Sequence, residues 1–483
     1  MRSIPIVTAE QMRLLERAAM TSVSSLDLME RAGEAVAGAA LELITIGPVA
    51  AICGKGNNGG DALVALRLLK QRGADTTAFL IAAPIDLSDD ATIQLERAQC
   101  AGVEIRQGIG PLSDYCLIID GLLGTGARGS LASVYAEAVR AVNQSGKPVI
   151  AVDLPSGLDA DTGASLGEIV RADITVALGL PKSGLYLQNG PSHCGRALIA
   201  DIGLAAPTQD ERIASVVLDA SDLWPLHSPD AHKGHRGRVC VFGGSASMPG
   251  APALSGISAL RSGAGLVTLF VPSETRSVTA AYYPELMTKS LEDPFDANTD
   301  AAIIGPGLGE SDKARAFARS LIEAISAPKA IDADGLNALA EKPPIDLMSN
   351  AVLTPHPGEA ARLLKKTVEQ IQSDRMQAAK ELARAFNAVV VLKGACTLVA
   401  QGDELFAIPV SEPALATAGS GDVLAGLIGG LLAQGLSPLN AAIAGAWHHA
   451  KIGQNLAKTP GFGFTADDLS RALIGGPKKA QVQ

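Results

Sequence analysis

Apolar and polar positions along this chain follow two alternating rhythms. Residues 8–41 carry the helical one: Met12, Leu15 and Ala19, then Leu26, Met29 and Ala32, recur at spacings of three and four, and Thr8 with Gln11 forms a capping-box pattern. Pro48–Cys53 is a short continuous apolar run, as a buried strand requires. It passes into Gly54-Lys-Gly-Asn-Asn-Gly-Gly-Asp61, after which residues 62–70 return to the helical period. The apolar runs 115–119 and 149–152 end likewise in polar loops, one opening with Asp120 and the other with Asp153. Strand, polar turn and helix in repetition predict a parallel α/β sheet, whose right-handed crossovers bring all such loops to one edge.

After Leu204 the pattern loosens. Residues 205–235 contain Pro207, Pro225 and Pro229 among scattered charges, which places a domain boundary near residue 215. A second α/β series follows, with strands predicted at 239–242, 266–271, 301–304, 330–331, 351–353 and 389–392. Their loops include Gly305–Gly309, Asp332–Asp334, Thr354–Glu359 and Lys393–Thr397. The last turn, Ala418-Gly-Ser-Gly-Asp422, runs straight into the apolar stretch Val423–Ile428 and predicts a helix that begins at a tight turn and enters the core. The two series share architecture without an obvious sequence repeat.

Composition agrees with two folded α/β domains. The chain has 483 residues, 47% apolar and 19% charged, and 51 glycines suited to tight strand-to-helix turns. A formal charge of −10 disfavours non-specific binding to nucleic acid or to an anionic membrane, so a phosphate ligand would have to be held by local features. Six cysteines without a C-x-x-C pair predict reduced thiols in a cytoplasmic protein, neither a zinc site nor a disulfide framework. The N-terminus lacks a signal-type apolar core, and the run after Asp422 is too short and too glycine-rich for a membrane span.

The candidate chemistry sits at the strand ends. A glycine turn that opens a helix offers free N–H groups and about half a positive charge to an anion, so the turn before Asp422 suits a phosphoryl group. A carboxylate there repels what the turn attracts, unless it removes a proton from a hydroxyl that attacks that phosphoryl; a helix-capping Asp is the plainer alternative. His356 stands between two prolines that restrict its loop, and Lys393 ends a strand where it could neutralise phosphate. In the first series Asn58, Asp120, Asp153 and Ser156 should meet at the sheet edge. Asn58, Asp120 and Ser156, oxygen ligands without His or Cys, suggest a hard cation. His448 and His449 are adjacent on a predicted helix, about 100° apart, and do not form an i, i+4 metal pair.

Taken together, Leu28-Met-Glu-Arg-Ala-Gly33, Gly56–Asp61, Asp120–Gly126 and Asp153–Gly157, then His232–Arg238, Gly243–Ser245, Gly305–Gly309, Thr354–Glu359, Lys393-Gly394 and the Gly-Ser-Gly-Asp turn, closely resemble the bifunctional bacterial enzymes that repair hydrated nicotinamide cofactors. The order and spacing of these motifs are specific, and they cover nearly the whole chain. The resemblance implies a Rossmann-like three-layer αβα domain over residues 1–214, the NAD(P)H-hydrate epimerase. It also implies a ribokinase-like α/β domain over 215–483, which uses ADP or ATP to dehydrate the S hydrate. It implies K+ at Asn58, Asp120 and Ser156, and the hydrated cofactor against Asn57, Asn58, Gly59, Gly60, Asp61, Gly124, Thr125, Gly126, Ala127, Arg128, Gly129 and Ser130, with Asp153 catalytic.

In the second domain it implies substrate near Ala253, Gly307 and His356, with Asp422 as catalytic base. The adenine nucleotide would lie at Lys393, Gly394, Ala395, Cys396, Thr397 and Gly421, with Mg2+ accompanying it and no ligand for the metal evident in the sequence. The partners implied are hydrated NADH or NADPH, an adenine nucleotide and further copies of the chain in a homo-oligomer. Ala62 and Met248 depart from residues frequent in the family, a Gly and a Tyr. Two other readings remain open here. The second domain also suits a kinase of a small alcohol, such as a sugar or vitamin precursor, fused to a nucleotide-binding module. The first could be a non-catalytic binding domain.

Overall fold

The computed structural model describes residues 1–208, 212–294, 299–459 and 463–473; part of the loosened stretch, 209–211, lies outside the described residues. The chain divides into two compact units, one of Ile4–Ala214 and one of Ser215–Gln483 together with Met1–Ser3.

The first unit is built on seven strands: β1 (Val49–Cys53), β2 (Thr76–Leu80), β3 (Glu104–Gln107), β4 (Leu117–Gly121), β5 (Val149–Val152), β6 (Ile174–Leu178) and β7 (Arg196–Ala200). They lie in the order β3-β2-β1-β4-β5-β6-β7, and every neighbouring pair is parallel. All residues of β1, β4 and β5 are buried, as the unbroken apolar runs require of strands covered on both faces. The order reverses between β1 and β4. Ligands in open parallel sheets bind at such a reversal, beyond the carboxyl ends of the strands, and the Gly54–Asp61 and Asp120–Gly129 loops emerge there. Helices α1 (Ala9–Ala19), with the expected Thr8–Gln11 capping box, and α2 (Ser25–Leu43) precede the sheet; α3 (Asn57–Gln71) follows β1.

In the second unit β8 (Ala214–Asp219), β9 (Arg238–Phe242), β10 (Leu266–Val271), β11 (Met287–Ser290), β12 (Ala301–Ile304), β13 (Lys329–Ile331), β14 (Ala351–Leu353), β15 (Val389–Leu392), β16 (Leu398–Gln401) and β17 (Glu404–Ala407) share one sheet, in the order β8-β17-β16-β15-β14-β13-β12-β9-β10-β11. Only β16 runs antiparallel to its neighbours. The order reverses between β9 and β12, so the loops after β12, β13, β14 and β15 again share one edge. Helices α4 (Ala251–Arg261), α5 (Asp334–Ala340), α6 (Pro357–Leu364), α7 (Arg375–Phe386), α8 (Ser420–Ala433) and α9 (Pro438–Leu456) position the site.

From Val423 to Ala433 every residue of α8 is buried. Its glycines permit the approach: a Cβ at Gly426 would lie 2.2 Å from the Ser255 carbonyl oxygen of α4, and one at Gly429 would lie 2.4 Å from Ile303 of β12. The helix that begins at the Gly-Ser-Gly-Asp turn is thus locked between a neighbouring helix and the sheet, which fixes the position of its first turn.

Candidate active sites

In the first unit, the ends of β1, β4 and β5 meet around a cavity of about 470 Å³. Gly56 caps α3 without a side-chain hydrogen bond, so the first N–H groups of that helix stay available beside Asn57 and Asn58. Asp120, at the end of β4, is 1% exposed. Its carboxyl accepts the Ser156 hydroxyl at 2.6 Å, the Ser156 N–H at 2.8 Å and the Leu122 N–H at 3.3 Å. Burial nevertheless raises it to about 6, because those donors offset only part of the lost hydration. Asn58 lies close by: a Cβ at Gly124 would stand 3.1 Å from its side-chain oxygen, and its buried amide nitrogen has no partner.

Asp153 follows β5 with φ 64°, an uncommon left-handed backbone that Asp tolerates better than most residues. Its Oδ1 accepts the Leu178 N–H at 3.1 Å and the Lys182 ammonium at 2.5 Å; Lys182 is 1% exposed and also donates to the Leu178 carbonyl. Glu16 of α1 and Asp61 of α3 face the same cavity. Burial raises both, most strongly Asp61, and the Asp153 charge adds to the effect.

The cavity wall contains Asn57, Asn58, Asp61, Gly124, Thr125, Gly126, Ala127 and Asp153, but not every residue expected to touch ligand. Gly59 and Gly60 face inward. A Cβ on the first would lie 2.2 Å from the Gly54 carbonyl oxygen and one on the second 2.7 Å from the Met29 sulfur, so both serve close packing of α3. Arg128, Gly129 and Ser130 fall outside the wall, and the Arg128 guanidinium lies 3.7 Å from Asp159 and 3.6 Å from Asp161. Ala62 is already helical and fully buried, so its methyl leaves the loop geometry intact.

In the second unit Gly419 precedes α8 at φ 85°, which turns the chain into the helix. The Ser420 N–H donates to the Thr417 carbonyl at 3.3 Å. That bond takes up one N–H of the turn, and those of Gly421 and Asp422, in the first helical turn, stay available. The Asp422 carboxyl is pushed up to about 7, first by burial and then by Asp332 and Asp334, while Lys393 pulls it down. The Lys393 ammonium donates to Asp332 at 2.9 Å and lies 3.9 Å from Glu359. Burial alone would lower that lysine, but Asp332, Glu359 and Asp422 hold it above its ordinary value.

His356 caps α6: its Nδ1 accepts the Gly358 N–H at 3.0 Å and the Glu359 N–H at 3.4 Å, and Glu359 accepts the His356 N–H in return. Burial and the Lys393 and Arg362 charges lower its basicity, so the ring is neutral at pH 7. A cavity of about 580 Å³ brings His356, Lys393, Gly394, Ala395, Thr397 and Gly421 together. Cys396 stands aside. Its side chain is buried at φ 53°, and burial pushes its thiol up to about 12. Ala253 belongs to the hydrophobic core and is not part of that cavity wall, and neither is Gly307, at φ 63° against Met248 and Ala251. Met248 itself is 41% exposed.

Comparison with known proteins decides which family uses these two sites. Residues 239–474 match the family described as NAD(P)H-hydrate dehydratase, and residues 25–184 match the YjeF-related protein N-terminus. The bifunctional NAD(P)H-hydrate repair enzyme of Moorella thermoacetica is 39% identical, over 94% of this chain and 93% of its own length. That of Coxiella burnetii is 38% identical, over 95% of this chain and 96% of its own. The chain belongs to the bifunctional NAD(P)H-hydrate repair enzyme family. A crystal structure of ADP/ATP-dependent NAD(P)H-hydrate dehydratase from Bacillus subtilis, co-crystallized with ATP/Mg2+, is 28% identical, with a TM-score of 0.48 over 53% of this chain and 93% of its own.

The donor set suits the K+ ion that the sequence resemblance implies. Asn58, Asp120 and Ser156 supply oxygens, Ser156 Oγ lies 3.3 Å from the Leu123 carbonyl, and Gly124 leaves room where a side chain would crowd Asn58. Mg2+ fares differently. Among the described residues no group of three His, Cys, Asp or Glu side chains could hold a metal. Asp332 accepts Lys393 and Thr354, and Glu359 accepts the His356 N–H.

Two charged groups lie outside any motif of the sequence: Glu16, which lines the first cavity, and Lys182, which pairs with Asp153, while the partners of Asp332 and Glu359 were set only by the fold. Arg375 of α7, 4% exposed, donates to the carbonyls of Ala395, Leu392 and Lys393 and braces the loop after β15. His449 holds the first turn of α8 through the Ser420 hydroxyl at 3.1 Å and carbonyl at 3.0 Å, and burial lowers it to about 4, so it stays neutral. His448 packs edge-on against Trp224 and Trp447.

Proposed function

We propose that this protein repairs hydrated NADH and NADPH: the first unit interconverts the R and S hydrates, and the second dehydrates the S hydrate at the expense of ADP or ATP. Family membership supports the pair of activities. The observation that carries the chemistry is the Asp422 carboxyl, raised to about 7 on the first turn of α8 within the field of Lys393, whose ammonium would lie 3.3 Å from a Cβ on the adjacent Gly421.

Hydroxide is a poor leaving group, and transfer of a phosphoryl group to the ring hydroxyl makes it a good one. Asp422 takes the hydroxyl proton as the oxygen attacks the terminal phosphoryl. The N–H groups of Gly421 and Asp422, with Lys393, stabilise charge on the phosphoryl in flight. Elimination of phosphate then restores the dihydropyridine. Gly394, Ala395 and Thr397 line the cavity that fits the adenine nucleotide, with Arg375 holding their loop. No step is assigned to Mg2+.

In the first unit Asn57 and the N-terminal N–H groups of α3 hold the substrate's phosphates, while Asp153 exchanges a proton with the damaged ring. Asn58, Asp120 and Ser156 would hold a K+ ion, which would supply positive charge for the diphosphate. The family resemblance also supports a cytoplasmic homo-oligomer, which light scattering of the purified protein checks.

Incubation with mixed hydrate epimers and either nucleotide, followed by reduced-nicotinamide absorbance, tests the whole reading. Full recovery requires both activities, recovery of one epimer leaves the first unit without the epimerase role, and a stable phosphorylated product would replace the dehydratase by a kinase.

A further inference from the structure

Two carboxyls share the first unit's cavity in different surroundings. Asp153 is served by the Leu178 N–H and the buried Lys182 ammonium, both at Oδ1, which leaves Oδ2 to accept a proton from a ligand. Asp61 is as buried, at 7% exposure, and lines the same wall, yet among the described residues no hydrogen bond reaches its carboxyl. A buried carboxyl without donors keeps its proton, and burial, Asp153 and Glu16 push Asp61 well above the ordinary range against the opposing pull of Lys182. The charged groups that face it are Glu16 of α1, Asp153 after β5 and Lys182 after β6, with Arg13 and Lys55 farther along the cavity wall. A carboxylate paired with a buried lysine and a second carboxyl that no donor reaches, on one cavity wall, are the unlike pair that acid–base chemistry needs.

We propose that Asp61 is the acid that works opposite Asp153 in epimerisation, one carboxyl giving a proton to the nicotinamide ring nitrogen while the other takes one from the hydroxyl. This rests on the reading of the first unit as an epimerase. Water added across a ring C=C next to nitrogen leaves its hydroxyl on the carbon bonded to that nitrogen, a hemiaminal. Asp153 removes the hydroxyl proton, the C–O bond becomes C=O, the C–N bond breaks, and its electron pair receives the Asp61 proton. Rotation about the adjacent C–C bond presents the other face of the aldehyde. The reverse steps then return the proton to Asp61 and deliver the other from Asp153 to the new hydroxyl. Atoms and charge balance, and no oxidant, reductant or further reactant is needed. Loss of the hydroxyl as water would instead leave an iminium one proton away from NAD(P)H, which would bypass the need for a nucleotide.

The test is Asp61→Asn in the full chain, assayed with the R hydrate as the only epimer. Epimerisation kcat falls about 10²–10⁴-fold with KM little changed, the alkaline fall of the wild-type rate disappears, and the same sample dehydrates the S hydrate at the wild-type rate. Asp61→Glu keeps an acid and recovers part of the rate. A heavy-oxygen label in the substrate hydroxyl stays in the product epimer. Wild-type epimerisation by Asp61→Asn, or exchange of the label with water at each turnover, overturns the proposal. If the wild-type protein itself fails to epimerise, the epimerase reading falls with it.

Discussion

Replacing Asp422 by Asn removes the proton acceptor while keeping the size and the first helical turn. The expected loss follows from what the side chain does. General-base catalysis by a positioned group is worth about 10²–10⁴ in rate, or roughly 3–5.5 kcal/mol of transition-state stabilisation. Because the carboxyl is held near 7, about half the molecules carry the base at neutral pH, and about one-tenth do one pH unit lower. Dehydration by the wild-type protein should therefore rise with pH through 7 and level off above it, and the variant should lack that limb.

Stability should move the other way. The folded protein holds this group above its ordinary value of 3.8, so the fold favours the protonated form. Below about pH 4 the group is protonated whether folded or unfolded, and the Asn variant gains nothing. As pH rises the unfolded chain gives up the proton first, and the cost of the buried charge is complete above about pH 7, where the variant should melt higher than wild type. The assay follows recovery of reduced-nicotinamide absorbance from the S hydrate with ADP or ATP, alongside thermal unfolding at pH about 4 and about 8. A variant with near-wild-type kcat, or a wild-type rate flat from pH about 5.5 to 8, would refute the general-base assignment.

Asp153→Ala should abolish epimerisation and leave dehydration of the S hydrate unchanged; mixed epimers would then be recovered only in part, and full recovery would reduce Asp153 to a binding residue. Removal of K+, or Asp120→Asn, should weaken substrate binding in the first unit about tenfold or more by titration, since either leaves the oxygen cluster without its charge partner. Arg375→Met removes the cation that braces three carbonyls of the loop after β15. It should raise KM for the nucleotide more than it lowers kcat, and an unchanged KM would show that the loop holds its shape without the guanidinium.

Most of the architecture was legible because its signals are local. The apolar runs at 48–53, 115–119 and 149–152 became β1, β4 and β5, Thr8 and Gln11 cap α1 as their spacing predicts, and the Gly-Ser-Gly-Asp turn opens α8. Asp120 and Ser156 meet, with Asn58 beside Gly124, because parallel strands put their carboxyl ends on one edge. Glycines were harder to read. Gly59 and Gly60 sit in a ligand-type motif, and their missing side chains also permit the close packing against Gly54 and Met29, while the methyl of Ala253 lies in the core.

By itself the sequence determined the succession of elements, the strand ends that carry polar groups and the family that shares them, since each depends on residues near one another in the chain. The tertiary structure decided what those groups are paired with. Lys182 meets Asp153 across 29 residues, Lys393 meets Asp332 across 61, and Arg375 reaches the carbonyl of Ala395 across 20. Such pairings set burial and charge, and burial and charge are what bring Asp422 to a carboxyl poised near 7 and leave Asp61 without a donor. No local pattern encodes them, because desolvation depends on everything that packs around a group.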